Sequence, residues 1–197
     1  MQNFENSVDW VTLGMTENDS SRWKIRIPNE SKIKSGNYAW FTKIPVVTGN
    51  TSKEYSQVVS SCFDLSELKR PMIKMKIWPS LDNNFGAVLQ FSRIWSSTWE
   101  TAKWESLGTL NEGINWYNSS SIQNLNLESF IGWTGNNYSN WIDVRHNLNT
   151  LKDSSKVRFR IVYSAESKLV TGTDGFAFDD VWIGERQQMQ VLEYFTN

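Results

Sequence analysis

The strongest constraint on this chain is a period of two. In Arg22-Trp-Lys-Ile-Arg-Ile27 and Met72-Ile-Lys-Met-Lys-Ile-Trp78, polar and apolar residues alternate one by one. Successive side chains of an extended strand point to opposite faces, so each stretch reads as a half-buried β-strand. Gly86-Ala-Val-Leu-Gln-Phe91, Trp141-Ile-Asp-Val-Arg145, Lys156-Val-Arg-Phe-Arg-Ile-Val-Tyr163 and Gly175-Phe-Ala-Phe-Asp-Asp-Val-Trp-Ile183 read the same way. Helical spacing is nearly absent. The best helical candidate, Leu65-Ser-Glu-Leu-Lys-Arg70, is stopped within two turns by Pro71. Asp82-Asn-Asn84, Asn111-Glu-Gly113, Trp133-Thr-Gly-Asn-Asn137 and Thr171-Gly-Thr-Asp-Gly175 supply the turns. Many strands with no helices between them predict an all-β, antiparallel two-sheet sandwich of the jelly-roll kind.

At 197 residues the chain fits one domain with a sizeable core and needs no covalent staple. Its single cysteine, Cys62, excludes an internal disulfide and a CxxC zinc site, and its half-apolar setting predicts a small core residue. A net charge of −1 provides no global field for nucleic acid or anionic membranes. Lys156-Val-Arg158-Phe-Arg160 is the outer face of a strand rather than a basic patch, and no apolar run is long enough to span a bilayer. The beginning, Met1-Gln-Asn-Phe-Glu5, reads as a boundary rather than a signal peptide. A new apolar segment follows Arg186. The expected organisation is a sandwich over residues 1–186, with 187–197 a linker or the start of a following domain.

Catalytic constellations are sparse. His146 is the only histidine, no Gly-x-Ser-x-Gly elbow exists, and His146 is expected to be a surface or edge residue. Glycoside hydrolysis needs two facing carboxylates. The nearest set is Asp174, Asp179 and Asp180, but adjacent Asp179 and Asp180 should point to opposite faces of a strand. The chain is therefore read as not an enzyme. Aromatic residues make up 14%, with 11 Trp. Trp23, Trp40, Trp78 and Trp182 lie on alternating strands and are expected in the core. Trp95, Trp99, Trp116, Tyr117 and Trp133 lie among Asn, Ser, Thr and Gly near loops, which makes them a candidate glycan-stacking surface. The competing reading is that Trp116 simply pins a loop.

Five ordered motifs carry a family resemblance: Ser61-Cys-Phe-Asp-Leu-Ser66, Gly86-Ala-Val-Leu-Gln-Phe-Ser92, Glu112-Gly-Ile-Asn-Trp-Tyr-Asn118, Ile131-Gly-Trp-Thr-Gly135 and Asp174-Gly-Phe-Ala-Phe-Asp-Asp-Val-Trp-Ile183. In this order the chain resembles the concanavalin-A-like jelly-roll modules of secreted Bacteroidetes proteins, distant relatives of the MAM adhesion domain and often associated with the gliding-linked secretion system. The resemblance covers roughly residues 3–186. It implies a secreted or cell-surface setting, with further domains in the same polypeptide. It also implies a calcium ion held by the carboxylates of Glu5 and Asp180, with carbonyls near Asn37 completing the shell. The alternative for Asp180 is satisfaction by backbone amides or an arginine. The chain departs from the family where an Asp-Gly-Gly hairpin is usual, having Ser92-Arg-Ile-Trp-Ser-Ser-Thr-Trp99 instead.

Together these readings predict a non-catalytic extracellular binding or adhesion module whose partner is a glycan or a surface protein. An architectural spacer beside a catalytic or thioredoxin-like domain is a second expectation, and a weak glycan hydrolase a third. A fold hosts many functions, so the site must decide among them.

Overall fold

A computed structural model describes residues 10–14, 23–26, 38–42, 53–81, 85–93, 103–123, 129–135, 140–166 and 175–187. Among the described residues the strands run in order: β1 (Val11–Gly14), β2 (Lys24–Arg26), β3 (Ala39–Thr42), β4 (Lys53–Phe63), β5 (Pro71–Ser80), β6 (Gly86–Arg93), β7 (Glu105–Ser106), β8 (Ser119–Gln123), β9 (Ser129–Gly132), β10 (Ile142–Asn147), β11 (Val157–Glu166) and β12 (Gly175–Glu185). One five-stranded sheet has the order β1-β4-β11-β6-β7, a second has β10-β5-β12-β3-β2, and β8 and β9 form a hairpin. Every strand pair is antiparallel. The all-β sandwich expected from the alternation is the fold. The helical expectation at Leu65–Arg70 fails: the segment is a run of turns, anchored by Leu65 N–H donating to the Ser154 carbonyl. The tail, 188–197, lies outside the described residues.

The two sheets meet over an aromatic layer. Val58, Leu89, Phe159, Ile161 and Tyr163 come from the first sheet, and Trp40, Ile73, Met75, Ile77, Phe176 and Phe178 from the second. Trp23 bridges them, its ring 5.9 Å from Tyr163 on one side and 6.4 and 5.7 Å from Phe176 and Phe178 on the other, all edge-on. Such geometry sets positive ring edges against negative faces, adding to the burial itself. A polar tie also crosses the layer. The Thr42 hydroxyl of β3 and the Ser56 hydroxyl of β4 donate to Glu54 Oε1 at 3.0 and 2.7 Å.

Two bulges overturn expectations based on simple alternation. In β4, Cys62 pairs with Arg158 but Val59 with Arg160, so β4 carries one extra residue there. The Ser60 hydroxyl fills the gap by accepting the Phe159 N–H at 2.9 Å. One extra residue exchanges the faces of all that follow. Val58 and Phe63 pack inward and Cys62 is exposed, not a core residue. In β12, Asp179 pairs with Lys76 and Trp182 with Lys74, again one extra residue. Asp180 takes the left-handed conformation, φ 51°. Phe176 and Phe178 face inward before it, Val181 and Ile183 after it, and Trp182 turns outward, half-buried rather than in the core. Trp78, expected in the core, is buried on the same outer face, stacked on Phe41 at 5.9 Å.

Phe176 is fully buried and touches both Trp23 and Trp133. Phe176→Ala should therefore cost about 3–5 kcal/mol, the scale of large-to-small core changes. Urea unfolding checks this, and a loss below about 1 kcal/mol would contradict the packing described.

Candidate functional site

The outer face of the second sheet has three zones, set by register. Across β10, β5 and β12 the first row is apolar, with Trp141, Trp78 and Ala177 packed with Phe41. The middle row is rich in acid: Asp143 and Asp179 stand opposite Lys76 on either side, and Lys76 Nζ bridges Asp180 Oδ2 at 2.9 Å. The third row runs Arg145, Lys74, Trp182, with Asn147, Met72 and Gly184 next to it. This last zone is the floor of an open cleft of about 550 Å³, walled by Gly113 and Ile114 on one side and Glu185, Arg186 and Gln187 on the other.

Trp182 lies flat in this cleft for a local reason. A Cβ on Gly184 would come within 2.8 Å of the Trp182 ring, so the ring rests where a side chain two residues on would stand. Lys74 Nζ sits 5.0 Å from the ring centroid, within cation–π range. Glu185 is engaged by Arg70, accepting its backbone N–H at 2.9 Å and its Nε–H at 3.3 Å. These bonds, the backbone one foremost, hold the Glu185 carboxyl below the usual carboxylate range.

The wall over β10 comes from residues 108–118, which cap an edge strand that would otherwise expose its backbone. Ile114 and Arg145 exchange N–H···O bonds of 2.9 and 3.0 Å. Asn111 and Asn115 take positive φ, which asparagine tolerates, and Gly113 has φ 83°. A Cβ on Gly113 would stand 2.3 Å from the Arg145 carbonyl oxygen. Glu112 ties the turn down, accepting the Thr109 N–H and hydroxyl at 2.9 and 3.0 Å. The backbone bond from Thr109 leads in holding the Glu112 carboxyl low. Behind it His146 is buried, not a surface residue. It faces inward from β10 with its ring 4.8 Å from Trp116, and its Nε2 is 3.4 Å from Glu112 Oε1. The same wall that caps β10 covers it.

Of the proposed stacking residues, Trp95 and Trp99 lie outside the described residues. Trp116, Tyr117 and Trp133 are 2, 0 and 2% exposed, and so are core rather than an open platform. Their polar tips explain why: Trp116 Nε1–H donates to the Leu107 carbonyl, Tyr117 O–H to Leu89 and Trp133 Nε1–H to Asn115. They fasten residues 108–118 to the sandwich, as the loop-pinning reading of Trp116 anticipated. Burial pushes the Tyr117 hydroxyl pKa well up. Edges of Trp116 and Trp133 reach a second recess of about 440 Å³, lined also by Asn111, Asn115 and Asn118. There the Asn115 and Asn118 amides are already spent on the Asp143 and Thr134 carbonyls.

For the calcium set, Glu5 and Asn37 lie outside the described residues. Asp180 is a counter-ion of Lys76, and no group of three His, Cys, Asp or Glu residues gathers among the described residues. Asp179 and Asp180 do not simply alternate, since the Asp180 N–H donates to Asp179 Oδ1 at 2.7 Å across the bulge. Sequence reasoning missed the cleft. Its signal was the Trp182-x-Gly184 pair opposite Lys74, hidden because alternation placed Trp182 inside.

The sequence matches no protein-family model, and no curated protein matches it. Solved structures do share its fold. The K1 cleaved adhesin domain of Lys-gingipain from Porphyromonas gingivalis is 11% identical, with a TM-score of 0.56 over 94% of this chain and 97% of that one. The K2 cleaved adhesin domain of Lys-gingipain gives 13% and 0.52 over 92% and 95%. A family 11 carbohydrate-binding module from Clostridium thermocellum, in complex with a β-1,3-1,4-mixed-linked tetrasaccharide, gives 12% and 0.51 over 96% of each chain. At these identities the likeness shows a shared β-sandwich fold.

Gly113→Ala should break the Ile114–Arg145 bridge and cost about 1–3 kcal/mol, the range for a strained left-handed residue. Amide exchange at Ile114 and Arg145 should speed up relative to β5. Unchanged protection at both would show that the wall does not depend on this glycine.

Proposed function

We propose that this chain is a non-catalytic, extracellular binding module of a larger bacterial surface or secreted protein, and that it holds a glycan in the Trp182 cleft. The observation that carries the reading is a flat, half-buried indole on the open face of a sheet, ringed by Lys74, Arg145, Asn147 and Gln187. Sugars present apolar C–H faces that stack on such a ring, while amides and cations take their hydroxyls. The adhesin and carbohydrate-binding domains that share the fold support the class, and the sequence resemblance to secreted Bacteroidetes modules supports the setting. No helix among the described residues is long and apolar enough to cross a membrane. Glu185 is the one carboxylate among the described residues of the cleft and is held by Arg70, so binding is favoured over two-carboxylate hydrolysis.

A glycan and polysaccharide array probed with the purified chain tests this. The expected result is retention on a defined glycan class, with Trp182→Ala weakening it about tenfold or more, as loss of a central aromatic anchor does. Silence across the array sinks the glycan reading and favours the spacer. Binding unchanged by Trp182→Ala moves the site elsewhere.

Calcium at Glu5, Asn37 and Asp180 is a separate proposal that rests on the resemblance. The ion would compete with the Lys76 ammonium for Asp180. Adding calcium to the metal-stripped chain should then raise Tm by some degrees, because a ligand of the folded state stabilises it by mass action, and Asp180→Asn should abolish the rise. An unchanged Tm leaves Asp180 as the partner of Lys76 alone.

A further inference from the structure

We infer that the glycan taken by the Trp182 cleft is anionic, carrying carboxylate or sulfate groups on its sugars. This deepens the proposed function and rests on it. Three cations line the cleft: Lys74, Arg145 and Arg186. Among the described residues none of them meets a carboxylate. Lys74 is directed to the Trp182 ring, and the hydrogen bonds of Arg145 and Arg186 run from their main chains, not their guanidinium groups. The one acidic side chain of the cleft, Glu185, is turned to Arg70 and does not neutralise them.

The contrast with the adjacent row is informative. One step along the same strands, Lys76 is bridged by Asp180, and Asp143 stands opposite it. Acidic residues therefore gather around Lys76 one step away, whereas the charged residues in the row that holds the indole are both cations. Arg145, Lys74 and Trp182 occupy one row on three neighbouring strands, and strands sit about 4.8 Å apart. A sugar chain crossing the strands would meet two cations and then the ring, so a sugar stacked on Trp182 sets its neighbour's acid group over Lys74 and Arg145. Arg145 adds a planar fork suited to a carboxylate or sulfate. A neutral sugar would leave the Arg145 and Arg186 guanidinium groups without an anionic partner. Nucleic acid is disfavoured because the chain as a whole is acidic, with a net charge of −1.

The test immobilises polygalacturonate, alginate and chondroitin sulfate beside neutral mixed-linked β-glucan and laminarin, with poly-L-glutamate and duplex DNA as plain polyanions. The expected result is binding to an acidic glycan that weakens as salt rises. Lys74→Gln and Arg145→Gln should each lower affinity about tenfold, the scale of one charge-assisted hydrogen bond. Lys103→Gln, just before β7 of the other sheet, should leave it unchanged, and matched thermal melts confirm that each variant folds. Binding to a neutral glycan, indifferent to Lys74 and Arg145, overturns this inference and leaves the proposed function standing. Equal binding to poly-L-glutamate or DNA overturns it too, since charge alone would then suffice. Failure to bind any glycan removes both.

Discussion

One extra residue in β12 makes that strand serve two faces. Before Asp180 its large side chains, Phe176 and Phe178, fill the space between the sheets; beyond it, Val181 and Ile183 take over that task and Trp182 turns to the outside. A left-handed aspartate costs on the order of 1–3 kcal/mol, so the bulge persists only where its surroundings hold it. Here they do: its N–H donates to Asp179 Oδ1, and its carboxylate meets Lys76. Without that insertion Trp182 would point into the core and the cleft would have no ring.

The same insertion arranges the charge. By placing Asp180 beside Lys76 it closes the middle row, and the next row is left with Lys74 and Arg145. The cleft is therefore lined by more cations than carboxylates although the chain is slightly acidic. At such a surface the local field acts beside the net charge, and salt screens it.

The core and the cleft are coupled through residues 108–118. Trp116, Tyr117 and Trp133 are mutually packed, with centroids 4.7–5.2 Å apart, and their polar atoms are spent on backbone carbonyls. Buried rings with satisfied tips are anchors rather than platforms. They hold the segment whose Gly113 and Ile114 form the wall against Arg145, so the aromatics that looked like a binding surface instead build one side of it.

The sequence by itself determined the fold class. Alternation at Met72–Trp78 and Lys156–Tyr163, the turn residues at Asn111–Gly113 and the lack of helical spacing leave little but an antiparallel sandwich, because a period of two can bury only one face of a sheet. Trp78, expected in the core, shares parity with Lys74 and Lys76 and so takes the outer face with them. What alternation could not carry was a break in its own count. The bulges near Ser60 and Asp180 each add a residue that no local motif announces, and each reverses every later side chain, which is why Cys62 and Trp182 were misplaced. The burial of Trp116, Tyr117 and Trp133 depended on carbonyls from Leu89, Leu107 and Asn115, partners 9–28 residues away along the chain. Only tertiary structure brings such groups together. A strand's pattern records which residues share a face, whereas a cleft is made of faces that meet across strands.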